Sequence, residues 1–262
     1  MASLPPLPVP PARGLRPARF LGALAVMLNV VGLAGRRFDL VNSDTLVATL
    51  LFALALSLVA LGLAALGMRD IWRDGRPGAQ HVIPSIFLIL LSFLPFFAII
   101  SAYALTPALD RVATDPTLFA DMETPAVTPL GALTSRLLVP ASQTDSVQAA
   151  AYPDVVPQAV DLSTVEAFAV AKAAVDQLGW KVIATTEPAT EGAAGTITAE
   201  ARSLALGLPS KLRIRIGSGE TATRLDIASA STYPMPDLGE NARNINLFLD
   251  AYASVSRRSA PP

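Results

Sequence analysis

Two long uncharged apolar runs dominate the first half of the chain, and a strict apolar–polar alternation marks the second. Leu46 to Met68, LVATLLFALALSLVALGLAALGM, contains no charged residue. At about 1.5 Å per residue it is long enough to cross a hydrocarbon core of about 30 Å. His81 to Leu105, HVIPSIFLILLSFLPFFAIISAYAL, predicts a second span over about 82–105. Its Pro84 and Pro95 are tolerated where neighbouring helices re-satisfy the freed carbonyls, and Pro95 predicts a kink. Phe20 to Gly35, FLGALAVMLNVVGLAG, is shorter and holds Asn29. It reads either as a third span whose Arg19 and Arg36 snorkel, or as the apolar core of a secretory signal following Arg13, Arg16 and Arg19.

Loop charge sets the expected orientation. Arg69, Arg73 and Arg76 lie between the two strong spans and Arg13, Arg16 and Arg19 precede the first, against Arg36, Arg37 and Arg111 on the other side. Cytoplasmic loops carry the Lys/Arg excess, so the C-terminal part is expected outside. In the middle span Ala53, Ser57, Ala60, Ala64 and Gly67 recur at spacings of four and three, a small-residue face that permits close helix approach and offers a surface for a membrane partner or a second copy.

The remaining pattern divides 1–18, a Pro-rich tail expected to be disordered, from the membrane region 19–105, an irregular lead-in or tether 106–151, and a domain over 152–258. In that domain Ser163 and Glu166 have capping-box spacing. Ala167, Phe168, Ala171, Ala174, Val175 and Leu178 follow on one helical stripe, and Gly179 supplies the stop. Trp180 to Thr186, Thr196 to Arg202, Lys211 to Ile216 and Thr223 to Ser229 read as four strands separated by Gly-containing turns. The expected fold class is therefore a membrane-anchored α+β protein: two or three transmembrane helices, then an external two-layer domain of helix, four-stranded antiparallel meander and helix.

Composition agrees with a membrane protein. Hydrophobic residues make up 52% and charged residues 16% of the 262-residue chain, below the ~25% usual in soluble domains. Mean hydropathy is +0.48. A net charge of −1 without a Lys/Arg run argues against a nucleic-acid partner. With no Cys and a single His, His81, the chain lacks disulfides, thiolate nucleophiles and zinc sites built on Cys or several His, and no cofactor is called for.

Alternation then separates the sheet's faces. Leu212, Ile214, Ile216, Leu225 and Ile227 point one way, beneath the helices. Thr196, Thr198, Glu200, Arg202, Lys211, Arg213, Arg215, Arg224 and Asp226 point the other way. That polar face reads either as a solvated, ion-paired surface or as a platform for an anionic ligand held by Arg213, Arg215 and Arg224 beside Glu200. Asp115, Asp154, Glu200, Asp226 and Asp237 are the acids a carboxylate-based hydrolase or transferase would use, but no spacing links them, and no residue is assigned as catalytic.

The stretch DLGENARNINLFLDAY, Asp237 to Tyr252, predicts a helix whose N-cap is Asp237, with Glu240 completing a capping-box-like pair. Leu238, Ala242, Ile245, Phe248, Leu249 and Tyr252 form its apolar stripe, with Arg243 on the solvated side. Asn241 falls at the edge of that stripe and must find a partner. Backbone groups of Ser231 to Pro236 are the expected ones, with a bound ligand as the alternative.

Together Thr114-Asp115-Pro116, Phe119, Tyr152-Pro153-Asp154, Gly179-Trp180, Glu200-Ala201, Asp237-Leu238-Gly239, Asn241-Ala242 and Ile245 resemble the bacterial and plastid proteins grouped as domain of unknown function 1499. The resemblance covers Thr114 to Tyr252. It implies placement in a bacterial inner membrane and carries no established activity. Departures fall at Ser210-Lys211, where the family has paired Asp, at Ala228-Ser229 in place of Arg-Ser, and at Ser231-Thr232-Tyr233 in place of Ser-Arg-x-Gly. The functional expectation is an envelope membrane protein whose periplasmic domain binds a lipid, glycan or protein partner. A structural subunit of a membrane complex and a carboxylate-based enzyme are the alternatives.

Overall fold

The computed structural model describes residues 10–107, 109–122, 128–138, 145–204, 206–233 and 237–259. The chain divides into two compact units, residues 1–101 and 102–262.

The first unit is helical. Helix α1 (Leu15–Arg37), α2 (Ser43–Asp74) and α3 (Val82–Leu105), the last preceded by a 3₁₀ turn at Ala79–His81, are all long and apolar enough to cross a membrane. α1 starts earlier than its apolar run because Leu15 and Ala18 are buried against its neighbours. Asn42 caps α2 by accepting from the Thr45 amide at 2.8 Å, and Gly75 ends it in the left-handed region.

Inside this unit the small-residue face of α2 is already occupied. Ala53, Ser57 and Ala60 are completely buried, Ala60 and Ala64 pack with Ala18 of α1 and Ile89 of α3, and Gly67 lies so close to Leu15 that an added Cβ would come within 2.6 Å of it. Van der Waals contact between small residues drives this approach in lipid. The Ala53/Ser57/Ala60/Ala64/Gly67 face thus packs within the chain, against α1 and α3. Polar side chains join the same seam: Asn29 Nδ2 donates to the Ser92 carbonyl at 2.8 Å, Ser92 and Ser57 hydroxyls lie 2.8 Å apart, and Ser85 donates to the Leu15 carbonyl at 3.0 Å. Asn29, which shortened the apolar run in the sequence, is a buried interhelical bond.

The second unit is one antiparallel sheet with two helices on its apolar face. Its strands are β1 (Arg111–Ala113), β2 (Gln158–Val160), β3 (Lys181–Thr186), β4 (Gly195–Arg202), β5 (Pro209–Ser218) and β6 (Thr223–Ser231). The order is β1-β6-β5-β4-β3, with β2 also pairing β6. The expected meander is its body. Among the described residues β1 and β2 add three-residue pairings along the far edge of β6, beside the four expected strands. The stretch read as a lead-in contains β1, a 3₁₀ turn at Pro116–Asp121, helix α4 (Pro129–Leu138) and helix α5 (Asp145–Ala151).

Burial alternates residue by residue through β4 and β5, as a sheet covered on one face requires. Helix α6 (Thr164–Gln177) begins at a capping box in which Ser163 Oγ accepts from the Glu166 amide and Glu166 accepts from the Ser163 amide, both at 3.2 Å. Gly179 follows at φ +66°. α6 and helix α7 (Glu240–Ser259) lay Phe168, Val175, Ile245 and Phe248 over Ile197, Ile214, Ile216, Leu225 and Ile227, forming the core.

Candidate functional site

Strand register brings charged residues together on the polar face of the sheet. Arg215 of β5 stands opposite Asp226 of β6, and Arg224 is two residues along on the same face. A second carboxylate, Asp115, arrives from the segment between β1 and the 3₁₀ turn. Arg215 Nη2 donates to Asp115 Oδ2 at 2.8 Å and to Asp226 Oδ2 at 2.9 Å. Arg224 donates through Nη2 to Asp115 Oδ2 at 2.8 Å and through Nε to Asp226 Oδ2 at 2.9 Å. Two arginines and two aspartates close a neutral square, with Asp226 only 1% exposed.

Local geometry pre-sets Asp115 for this role. Its Oδ1 accepts from the Thr117 hydroxyl at 2.7 Å and the Thr117 amide at 2.9 Å, with Pro116 opening the turn. Those bonds, then Arg215, hold its carboxyl below the ordinary range against the effect of burial. Burial works against the Arg215 charge, but Asp226 and then Asp115 outweigh it and raise its pKa. Behind the square, the Thr114 hydroxyl accepts from the Ile227 amide at 2.9 Å, and Leu118 and Met122 roof Ala228.

The other residues assigned to the platform lie alongside. Arg213 is on the same face opposite Ala228, Lys211 stands opposite Glu200, and Glu200 is 3.8 Å from Arg202. The face is a set of ion pairs. Of the candidate acids, the fold joins Asp115 to Asp226 and leaves Asp154 in the turn after α5 and Asp237 at the start of α7. Among the described residues no group of three or more His, Asp or Glu is arranged to hold a metal.

A second polar knot lies where β6, β1 and α7 meet. Asn241 is fully buried. Its Oδ1 accepts from Ser229 Oγ at 2.7 Å, and its Nδ2 donates to the Asp110 carbonyl at 2.8 Å and to Ser231 Oγ at 3.3 Å. All three partners differ from the expected loop backbone. Ser231 contributes its hydroxyl, Asp110 and Ser229 lie outside that loop, and residues 234–236 fall outside the described residues. No ligand is needed to satisfy the amide.

Asp237 accepts from the Gly239 amide at 3.0 Å and the Asn241 amide at 2.8 Å, so it satisfies free donors at the start of α7. The helix itself begins at Glu240, because Leu238 and Gly239 are both in the left-handed region, at φ 55° and 82°. Glu240 does not close a box onto Asp237. The Asp237 amide is taken by the Leu109 carbonyl, and Glu240 accepts from the Leu204 amide and pairs with Arg243, each at 3.3 Å. Burial pushes the Asp237 carboxyl up to about 6, against the two amide bonds, with the nearby charges of Asp110 and Glu240 adding to the rise. Tyr152 is raised by burial and then by Asp237.

Beside this knot runs a groove of about 360 Å³. Thr106 and Tyr152 wall one side, Leu238 and Gly239 one end, and the α7 face bearing Arg243, Leu247 and Asp250 the other. Gly239 makes the close approach there: a Cβ would lie 3.0 Å from Thr106 Cγ2 and 3.6 Å from the Tyr152 hydroxyl. This groove was missed in the sequence, since Thr106, Tyr152 and the start of α7 are far apart in the chain and show no common motif.

The family model described as protein of unknown function (DUF1499) matches residues 132–252. It takes in Tyr152, Gly179-Trp180, Glu200, Asp237-Leu238-Gly239 and Asn241. Thr114-Asp115-Pro116 and Phe119 lie before the match. No curated protein and no solved structure matches the chain.

Proposed function

We propose, from the premise that this chain belongs to the DUF1499 family through residues 132–252, that it is a multi-pass envelope protein whose C-terminal domain works by binding and not by catalysis. The observation that carries this reading is the mutual neutralisation of Arg215 and Arg224 by Asp115 and Asp226. A general base must be able to take a proton near the working pH. Asp115, with its pKa lowered, is poorly suited to that task. The polar face suits recognition instead, since its side chains are held in place before a partner arrives.

Three apolar helices support anchoring in a membrane. The Asn29–Ser92 bond supports α1 as a retained span and not a cleaved signal, since removing α1 would take this partner from the seam. Loop charge supports a C-terminal domain on the outer side, and the family supports a bacterial inner membrane, which would make that side the periplasm. The assembly alternative loses its main argument with the small-residue seam spent internally.

Two measurements test this reading. A reporter that is active only outside the cytoplasm, fused after Arg258, is expected to be active. The full chain purified in mild detergent is expected to retain a reproducible lipid, glycan or protein, identified by mass spectrometry. Cytoplasmic activity of the fusion, or a chain recovered bare under every mild condition, would sink the proposal.

A further inference from the structure

We infer that the groove between Tyr152 and α7 is a site for the headgroup of an amine-bearing zwitterionic phospholipid, with Arg243 on the phosphate and Asp250 on the ammonium. The inference goes beyond the polar face to a second site, and rests on the reading above only in taking the chain as membrane-anchored.

Charge arrangement is the first argument. Arg243 and Asp250 are seven residues apart on α7, two turns along one face and about 10.5 Å in rise, and both line the groove. Arg243 commits Nη1 to Glu240 and, among the described residues, leaves the rest of its guanidinium for a phosphate, the planar fork suited to that oxyanion. Asp250 is exposed and makes no ion pair among the described residues. A cation and an anion spaced along one wall match a ligand that carries both signs. An anionic headgroup leaves Asp250 opposed, and a trimethylated ammonium gives it no hydrogen to accept.

Position is the second argument. Thr106, which walls the groove, is joined by one peptide bond to Leu105, the last residue of α3. Covalent continuity keeps that wall within a residue of the end of the apolar span Ala79–Leu105, where headgroups lie if α3 spans the bilayer. Tyr103, 42% exposed in the last turn of that helix, is a side chain suited to the interface. Lining is the third argument. Leu238 and Leu247 give the groove an apolar strip for the start of an acyl chain, while the Tyr152 hydroxyl, with no partner among the described residues, adds a donor.

The test uses the full chain in detergent, titrated with phosphatidylethanolamine, phosphatidylcholine and phosphatidylglycerol of matched chains and read by native mass spectrometry. Phosphatidylethanolamine is expected to be retained about tenfold better than either, the scale of one charge-assisted hydrogen bond. Asp250→Asn should abolish that preference, and Arg243→Gln should weaken retention of all three. Glycerophosphoethanolamine, the same headgroup without chains, is expected to compete only at far higher concentration. Equal retention of the three lipids, or an unchanged preference in both variants, overturns the inference. Competition by glycerophosphoethanolamine at the lipid's own concentration reassigns the groove to a soluble phosphoamine. Lipid selectivity is read without regard to membrane side, so a reporter on the cytoplasmic side would defeat the broader reading and leave this measurement standing.

Discussion

Asn241 of α7 and Ser229 of β6 meet in the closed interior of the domain, the serine hydroxyl donating to the amide oxygen at 2.7 Å with both residues fully buried. The bond joins the end of the sheet to the start of the last helix. Replacing Asn241 by Leu orphans the Ser229 hydroxyl and removes one donor from the Asp110 carbonyl, so stability should fall by about 2 kcal/mol or more. Trp180 stacks on Phe248 of α7 at 6.4 Å and reports on that helix. In a Trp72→Phe background, its fluorescence during urea unfolding should show the lower midpoint. An unchanged midpoint would mean that the amide is not a structural tie.

In the charge square, burial ranks the two carboxylates. The Asp226 side chain is 2% exposed and that of Asp115 16%. Asp226→Asn leaves two arginine charges to share Asp115 and sets a neutral amide in the most buried corner of the square, so it should cost about 3 kcal/mol, the scale of a broken buried pair. Asp115→Asn keeps an acceptor for Thr117 and lies nearer solvent, and should cost about 1 kcal/mol. Unfolding free energies of the two variants decide it, and equal costs would refute the ranking.

Two glycines with positive φ should respond unequally to alanine. Gly179, at φ 66°, has open space where a Cβ would go, so Gly179→Ala meets only the left-handed penalty of about 1 kcal/mol. Gly239, at φ 82°, adds a Cβ 3.0 Å from Thr106 Cγ2, so Gly239→Ala should cost about 2 kcal/mol and crowd the groove. The comparison is made on the same unfolding curve. Matching losses would show that the approach to Thr106 is slack.

Much of the domain was legible because one physical cause wrote it repeatedly. A sheet covered on one face must alternate, and Leu212, Ile214 and Ile216 against Lys211, Arg213 and Arg215 display that period over enough residues to read. Ser163 and Glu166 are equally legible, since a capping box is local. β1 and β2 are not, because three residues cannot establish a period. The link from Asp115 to Arg215 spans 100 residues and has no local signature beyond a capped turn. The start of α7 misled because Asp237 and Glu240 have the spacing of a box. The left-handed pair Leu238–Gly239 instead carries the chain past it, at a point where Gly239 comes close to Thr106 and Tyr152, far off in sequence.

If the α2 seam is internal, enlarging it should damage the bundle without changing its stoichiometry. Ala60 is completely buried among Ala18, Ala64 and Ile89. Ala60→Leu overpacks that contact and should cost about 1 to 3 kcal/mol. The solubilised protein should melt earlier while its mass by light scattering stays the same. A fall in mass with an unchanged melting temperature would return the seam to contacts between copies.

Asp237 gives the domain a pH dependence whose sign follows from its surroundings. Its carboxyl titrates at about 6 in the fold against an ordinary 3.8. The folded state therefore binds that proton more tightly than the unfolded chain, and the stabilisation is complete below 3.8 and lost as pH rises through about 6. About two pH units correspond to a loss on the order of 3 kcal/mol. Burial is the main cause, and the groups facing it act in both directions: the Gly239 and Asn241 amides favour the charged form, while Asp110 and Glu240 oppose it. Asp237→Asn cannot titrate but keeps an oxygen for one of the amides, so it shifts stability by an amount that does not change with pH. Subtracting its unfolding free energy from that of the parent protein, measured from about pH 4 to about pH 7, isolates the carboxyl from every other titrating group. The difference should decline from about pH 4 to about pH 6 and level off above that. A flat difference would mean that Asp237 is ionised throughout, its two amide bonds prevailing over burial.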